Sequence, residues 1–351
     1  MPINYYECFI FAVIMKDNQI QKAKQLIHHA SNIIITCHKG PDGDAIGSTM
    51  ALYFYLKKLG KNTQVIVPND FPDFLKWIPE SDSILIYDKN IEEANRQIEK
   101  ADLLFSLDYN ALHRTGMMQE ALEKASGDFI MIDHHQQPDD YAIVTYSDTS
   151  ICSTCQMVYH FIDALGDLTL IDQNIAQCIY TGIMTDTGSF RFRSTTSTTH
   201  RVIANLIDTG IDNAKIHQNV YDSNSYNRLQ LLGKSLNNLK VIPELNTAYI
   251  TLSAKEQRQF NAQKGDTEGV VNYALSLKGI KLAVIFKEDA NENLIKMSFR
   301  SKGNFSVNEF ARTHFNGGGH TNAAGAVSDL PFEDTIAKFI SILPTYQKEL
   351  S

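Results

Sequence analysis

The sequence predicts an α/β protein: an N-terminal, mostly parallel sheet with flanking helices, then a smaller C-terminal α/β domain, with a cleft between the two. Three observations carry that expectation. Apolar or β-branched runs alternate with helix-like segments from Gln21 to Met184, the pattern of a parallel sheet with crossover helices. Several of those runs stop at acid or imidazole residues, along the sheet edge where open α/β sheets form their crevices. At 351 residues the chain is long for one domain and comfortable for two.

In chain order, Gln21 to Ala30 reads as a helix leading into Ile33-Ile34-Ile35-Thr36, a buried strand. The strand stops at Cys37-His38-Lys39-Gly40-Pro41-Asp42-Gly43-Asp44, a polar turn holding one imidazole and two carboxylates. Ile46, Thr49, Met50, Tyr53, Leu56 and Leu59 follow at helical spacing up to Gly60. Gln64 to Val67 reads as a strand, and a loop with Pro68, Pro72 and Pro79 carries Phe71, Phe74 and Trp77, read as packing groups. Ile84 to Tyr87 is a short strand, Ile91 to Lys100 a charged helix, and Leu103 to Leu107 a strand ending at Asp108. Met131-Ile132 closes another strand at Asp133-His134-His135. Met157 to Leu165 and Asp172 to Met184 read as helices, the second running into Thr185-Asp186-Thr187-Gly188. The alternating Phe190 and Phe192 of Ser189 to Arg193 read as strand packing.

The polar, helix-like stretch 194–237 opens with the cap-rich Thr195 to Thr199 and is the expected connection between a catalytic domain, 1–193, and a second domain, 238–351. That second domain reads as strands at Ala248 to Leu252, Ile280 to Phe286 and Leu294 to Phe299. A Gly317-Gly318-Gly319-His320 turn and a last helix near Phe332 to Leu343 follow.

A net charge of -8 argues against a broad basic surface gripping long nucleic acid through many phosphates. Five scattered cysteines fit a reducing compartment, and Cys152-x-x-Cys155 reads as two small buried thiols. The apolar run Cys8 to Met15 is too short to span a bilayer and has no basic residues ahead of it, so the expectation is a cytoplasmic protein with no membrane partner. Met15 is an alternative start to Met1.

His38, Asp42, Asp44, Asp108, Asp133, His134, His135 and Asp186 form one chemical set. A single zinc takes about three or four ligands, often including cysteine, whereas this carboxylate-rich set suits two octahedral-type divalent ions, manganese best. Two such ions hold a hydroxide nucleophile and stabilise charge at a phosphoryl centre, so phosphoester hydrolysis is the expected reaction class. His113 and Arg114, just after Asp108, are candidate substrate contacts, because a loop that follows a strand-end ligand lies beside the site.

Four ordered blocks, His38-x-x-x-Asp42-x-Asp44-Ala45-Ile46-Gly47-Ser48, the strand-end Asp108, Asp133-His134-His135 and Thr185-Asp186-Thr187-Gly188, resemble the motifs of the DHH phosphoesterase superfamily. The Gly317-Gly318-Gly319-His320 run resembles the glycine-rich motif of its associated C-terminal domain. The resemblance implies that His38 and Asp42 bind one manganese, Asp44, His134 and Asp186 the other, and that Asp108 bridges them, with magnesium or cobalt as substitutes. It implies that His135 faces the scissile phosphate and that Asp133 orients a ligand imidazole. Arg300 and the glycine motif with His320 would hold substrate phosphate, aided by Lys278, Lys281, Lys287, Lys296 and Lys302. The subfamily most resembled, small two-domain oligoribonucleases, implies short RNA oligonucleotides and 3′-phosphoadenosine 5′-phosphate as substrates. No obligate protein partner is implied, and a homodimer is compatible with it. The alternatives are a phosphodiesterase of cyclic or linear dinucleotides and a catalytically silent nucleotide sensor; the latter predicts a broken ligand set, which this sequence lacks.

Overall fold

The computed structural model describes residues 15–263, 265–289 and 292–351. The Met15 start and the run from Cys8 bear on residues 1–14, which lie outside the described residues. The chain forms two compact units that divide between Ser223 and Asn224.

The first unit runs α1 (Asp17–His29), β1 (Asn32–Thr36), α2 (Gly43–Lys58), β2 (Asn62–Val67), β3 (Leu85–Ile86), α3 (Ile91–Glu99), β4 (Leu103–Leu107), α4 (Gln119–Glu123), β5 (Asp128–Asp133), β6 (Val144–Ser147), α5 (Thr154–Ala164), α6 (Gln173–Asp186), α7 (Ser197–Asp208) and α8 (Asn213–Tyr221). Its strands form one six-stranded sheet in the order β3-β2-β1-β4-β5-β6, every pairing parallel. A parallel sheet covered on both faces needs strands that are apolar on both sides. Accordingly Ile33 and Ile35 join Phe105 and Leu107 in one core with α2, α5 and α6, while Ile34 and Leu104 turn to the opposite core with Ala94, Ile98 and Leu122. β1 and β4 are neighbours although two strands separate them in sequence, so the chain order reverses there and a crevice opens at their carboxyl ends.

Helices α2 and α6 pack closely under that crevice. A Cβ at Gly182 would lie 2.1 Å from the Cys155 Sγ and 2.8 Å from the Asp44 Oδ1, so only glycine lets α6 approach. After α6 the expected strand at Ser189 to Arg193 is not formed. Ser189 and Phe190 take φ of 61° and 64°, and the Ser189 N–H donates to the Met184 carbonyl at 2.7 Å. Closing the helix carbonyls in a left-handed turn outweighs the strand-like alternation of the two phenylalanines. Phe71 and Trp77 pack on the main core, as expected. Within the 194–237 stretch, α7 and α8 contribute Val202, Leu206, Ile216 and Val220 to the first core.

The second unit runs α9 (Tyr226–Asn237), β7 (Lys240–Ile242), β8 (Thr247–Leu252), α10 (Ala254–Gln259), α11 (Val270–Ser276), β9 (Leu282–Asp289), β10 (Leu294–Ser301), α12 (Val307–His314), β11 (Asn316–His320), β12 (Ala323–Ser328), α13 (Phe332–Ile342) and α14 (Gln347–Leu350). Its sheet has the order β11-β12-β10-β9-β8-β7, with only β8 and β9 parallel. The glycine run, expected as a turn, is instead the edge strand β11. A Cβ at Gly317 would meet the Gly325 carbonyl at 2.4 Å, so the missing side chain lets two backbones pair at close range. No helix among the described residues is long and apolar enough to cross a membrane.

Candidate metal centre

Three adjacent strand ends supply the first unit's site. After β1, His38 leaves the strand and Asp42 caps α2, its Oδ1 accepting the N–H groups of Asp44 at 3.0 Å and Ala45 at 3.1 Å. That cap turns the helix so that Asp44, in its first turn, is buried beneath the crevice. Asp108 follows β4 at φ 61°, a left-handed conformation that non-glycine residues rarely take and that marks functional positions. Asp133 ends β5, with His134 and His135 directly behind it, and Asp186 ends α6.

The donor atoms converge on Asp108. His38 Nε2 lies 3.3 Å from its Oδ2 and 3.9 Å from the Asp42 Oδ1. His134 Nε2 lies 3.5 Å from its Oδ1, 3.5 Å from the Asp186 Oδ2 and 3.7 Å from the Asp44 Oδ2. Among the described residues, His38, Asp42 and Asp108 form one group with atoms within 4.8 Å of one another, and Asp44, Asp108 and His134 form a second.

The electrostatics are those of a centre built for added positive charge. Burial, then the charges of Asp108 and Asp186, pushes the Asp44 carboxyl well above its ordinary range. Burial works against ionisation of Asp108 too, yet hydrogen bonds to His134 and His38 hold it well below the ordinary range. Burial alone would lower His38, but the bond to Asp108 and the charges of Asp42 and Asp108 raise it to about 9. His134 is raised for the same reason. Asp108 and Asp186 crowd the buried Asp44, a repulsion among carboxylates that a bound cation would relieve. Carboxylate and imidazole donors of this kind suit manganese or magnesium, and the residues present fit such ions.

Asp133 has a different partner from the expected one. Its carboxylate holds His135, while the Nδ1 of His134 lies 3.2 Å from the Ile151 carbonyl oxygen. The strand ends at Asp133 and the chain bends at once, so the Asp133 carboxylate reaches both the backbone N–H and the ring of His135, while both imidazoles stay beside Asp108, the His134 Nε2 at 3.5 Å and the His135 Nδ1 at 3.7 Å from its Oδ1. Arg114 is drawn in: its carbonyl accepts from the Lys39 N–H at 2.8 Å, and its Nη2 lies 3.5 Å from the His135 Nε2. His113, beside it, is exposed. Sequence reasoning passed over the segment Ile151 to Cys155, although Ser153-Thr154 ahead of an apolar helix is an N-cap signal; only its two cysteines were noticed. Cys152 and Cys155 are free and buried, as expected.

In the second unit, β12 pairs Ala323 with Arg300 on one side and with His320 on the other. Residues directly opposite across a ladder point to the same face, so Arg300 and His320 flank a small alanine, with Gly325 and Gly318 in the row of Ser298 next to it. Two of the expected basic helpers are otherwise engaged. Lys296 pairs with Asp289 at 2.7 Å and Glu292 at 2.9 Å, and Lys287 donates to the Thr267 hydroxyl at 3.2 Å.

Residues 32–183 match the DHH family, N-terminal domain, and residues 246–349 match the DHHA1 domain. The chain is 33% identical over 299 residues to the bifunctional oligoribonuclease and PAP phosphatase NrnA of Thermus thermophilus, covering 84% of this chain and 83% of that protein. It is 30% identical over 297 residues to the probable bifunctional oligoribonuclease and PAP phosphatase NrnA of Streptococcus mutans, covering 84% and 89%. Among solved structures it is similar to an exopolyphosphatase-related protein from Bacteroides fragilis, with a TM-score of 0.92 and 40% identity over 97% of this chain and 99% of that one.

Proposed function

The chain belongs to the DHH family, and from that premise we propose that it is a manganese-dependent phosphoesterase of short oligoribonucleotides. It releases nucleoside monophosphates from them and converts 3′-phosphoadenosine 5′-phosphate to AMP and phosphate. The observation that carries this reading is the pair of donor groups that share Asp108. His38 and Asp42 would hold one ion, Asp44, His134 and Asp186 the other, with Asp108 common to both. When bound, two divalent ions supply an acidified water and Lewis-acid stabilisation of the phosphoryl oxygens.

The protein's own groups do the rest. Asp133 accepts the Nδ1–H of His135 and so fixes its ring direction, and when the ring takes up a second proton from solvent its Nε2–H donates to the phosphate or to the leaving oxygen. Arg114 brings a guanidinium to the same side of His135. Arg300, His320 and the edge-strand glycines Gly317, Gly318 and Gly319 receive a terminal phosphate, the guanidinium as a two-pronged donor and the glycines by close backbone approach. One such clamp and a net charge of -8 favour a short substrate over a long polyanion. A cytoplasmic setting fits these substrates and the buried, unbridged thiols of Cys152, Cys155 and Cys178.

The test compares turnover of a labelled RNA trimer, an RNA of about 24 nucleotides, 3′-phosphoadenosine 5′-phosphate and a cyclic dinucleotide with and without added manganese, with Asp108→Ala as control. Manganese-dependent turnover of the trimer and the bisphosphate, lost in the variant, is the expected result. Preference for the cyclic dinucleotide would replace the substrate assignment, and tight binding without turnover would replace the enzyme with a sensor.

A further inference from the structure

The segment from Ile151 to Cys155, which leads into α5, touches three of the groups assigned to the metals, His134, Asp44 and Asp108. The Ile151 carbonyl faces the Nδ1 of His134, which fixes the Nε2 of that ring toward the carboxylates. Ser153 caps α5 by accepting the Gln156 N–H, and the first two amides of the helix are left for another acceptor. Asp44 takes both: the Thr154 N–H donates to its Oδ2 at 2.6 Å and the Cys155 N–H to its Oδ1 at 2.9 Å. The Thr154 hydroxyl donates to the Asp108 Oδ1 at 3.0 Å. Thr154 and Cys155 are fully buried, so no water competes for these bonds.

We infer that Thr154 is a positioning residue of the metal centre, its backbone amide fixing Asp44 and its hydroxyl fixing Asp108, so that one residue sets the spacing of two neighbouring carboxylates. The inference rests on the metal reading proposed above. Two buried carboxylates repel each other and, left to side-chain rotamers, would splay apart. Donors held on the rigid start of a helix oppose that splay before any ion arrives, and the positive end of the helix adds to the effect. The amide contribution is independent of the side chain, which leaves the hydroxyl as the part that mutation isolates.

The test is calorimetric titration of manganese into the metal-free full chain without substrate, for the parent, Thr154→Val and Thr154→Ser, with thermal unfolding of each metal-free protein and turnover of the RNA trimer at saturating manganese alongside. Valine keeps the shape of threonine and removes the donor; affinity is expected to fall about ten- to a hundredfold, with the metal-free unfolding temperature nearly unchanged. Serine keeps the donor and is expected to restore affinity to within about threefold of the parent. Thr154→Ala serves in place of valine should the added methyl prevent folding, and it must lose affinity likewise. Parent-like affinity in the variants without the hydroxyl, or an equal loss in Thr154→Ser, would overturn the role of Thr154 alone. A parent that binds no manganese would overturn the metal reading together with it.

Discussion

Asp133 grips His135 at two points: its Oδ2 accepts the backbone N–H at 2.8 Å, and its Oδ1 lies 2.7 Å from the imidazole Nδ1. Burial lowers the pKa of His135 below its ordinary value and the Asp133 charge opposes that, so the carboxylate orients the ring without leaving it permanently charged.

Asp133→Asn keeps the size of the side chain and removes its charge. Turnover of the RNA trimer is expected to fall about a hundredfold while manganese affinity stays within about threefold, because Asp133 touches a group outside the ligand set. Steady-state rates beside a calorimetric metal titration check it; an equal fall in metal affinity would place Asp133 among the ligand supports instead.

Gly182→Ala puts a methyl group into the Cys155 Sγ and the Asp44 Oδ1. The expected cost is about 1–3 kcal/mol in denaturant unfolding, with weakened metal binding because Asp44 is displaced. Cys155→Ala removes the closer clash, and the double variant is expected to recover part of the loss, a non-additivity that a mutant cycle reads directly.

His160 is buried on α5, and burial lowers its pKa from 6.5 to about 4. The folded state therefore resists a proton that the unfolded chain accepts, so its contribution is intact above pH 6.5 and is lost as pH falls toward 4. Unfolding measured between pH 7 and pH 4 is expected to show a shallower acid decline in His160→Gln, by up to about 3 kcal/mol across that window. An unchanged slope would mean that the buried ring is not a source of acid sensitivity.

Arg300→Ala is expected to raise the KM for the RNA trimer about tenfold or more, the worth of a charge-assisted hydrogen bond, and to leave manganese binding unaltered. Lys296, already paired with Asp289 and Glu292, serves as the comparison, and Lys296→Ala is expected to change KM far less.

Much of the fold was legible because parallel strands buried on both faces leave uninterrupted apolar runs. Ile33 to Thr36 and Leu103 to Leu107 are such runs, and both are strands. β6 and β12 escaped notice for the opposite reason: Val144–Ser147 alternates with polar residues, and Ala323–Ser328 is too small to carry a hydrophobic signal. The glycine run misled as a turn because glycine marks close backbone approach as readily as chain reversal, and here Gly317 needs the approach.

What the sequence determined by itself was the inventory: which acids and imidazoles stand at strand ends, and that they outnumber what one ion would need. Chemistry of that kind is carried by residue type and local spacing, so it survives without coordinates. Only the tertiary structure decided the pairings. Asp133 serves His135 because the chain bends directly after β5 and brings the His135 N–H and ring onto its carboxylate, and β12 aligns Arg300 with His320 across Ala323. The amides of α5 reach Asp44 across 110 and 111 residues of chain. Contacts at that separation depend on where the sheet and helices bring the backbone, which no local pattern encodes.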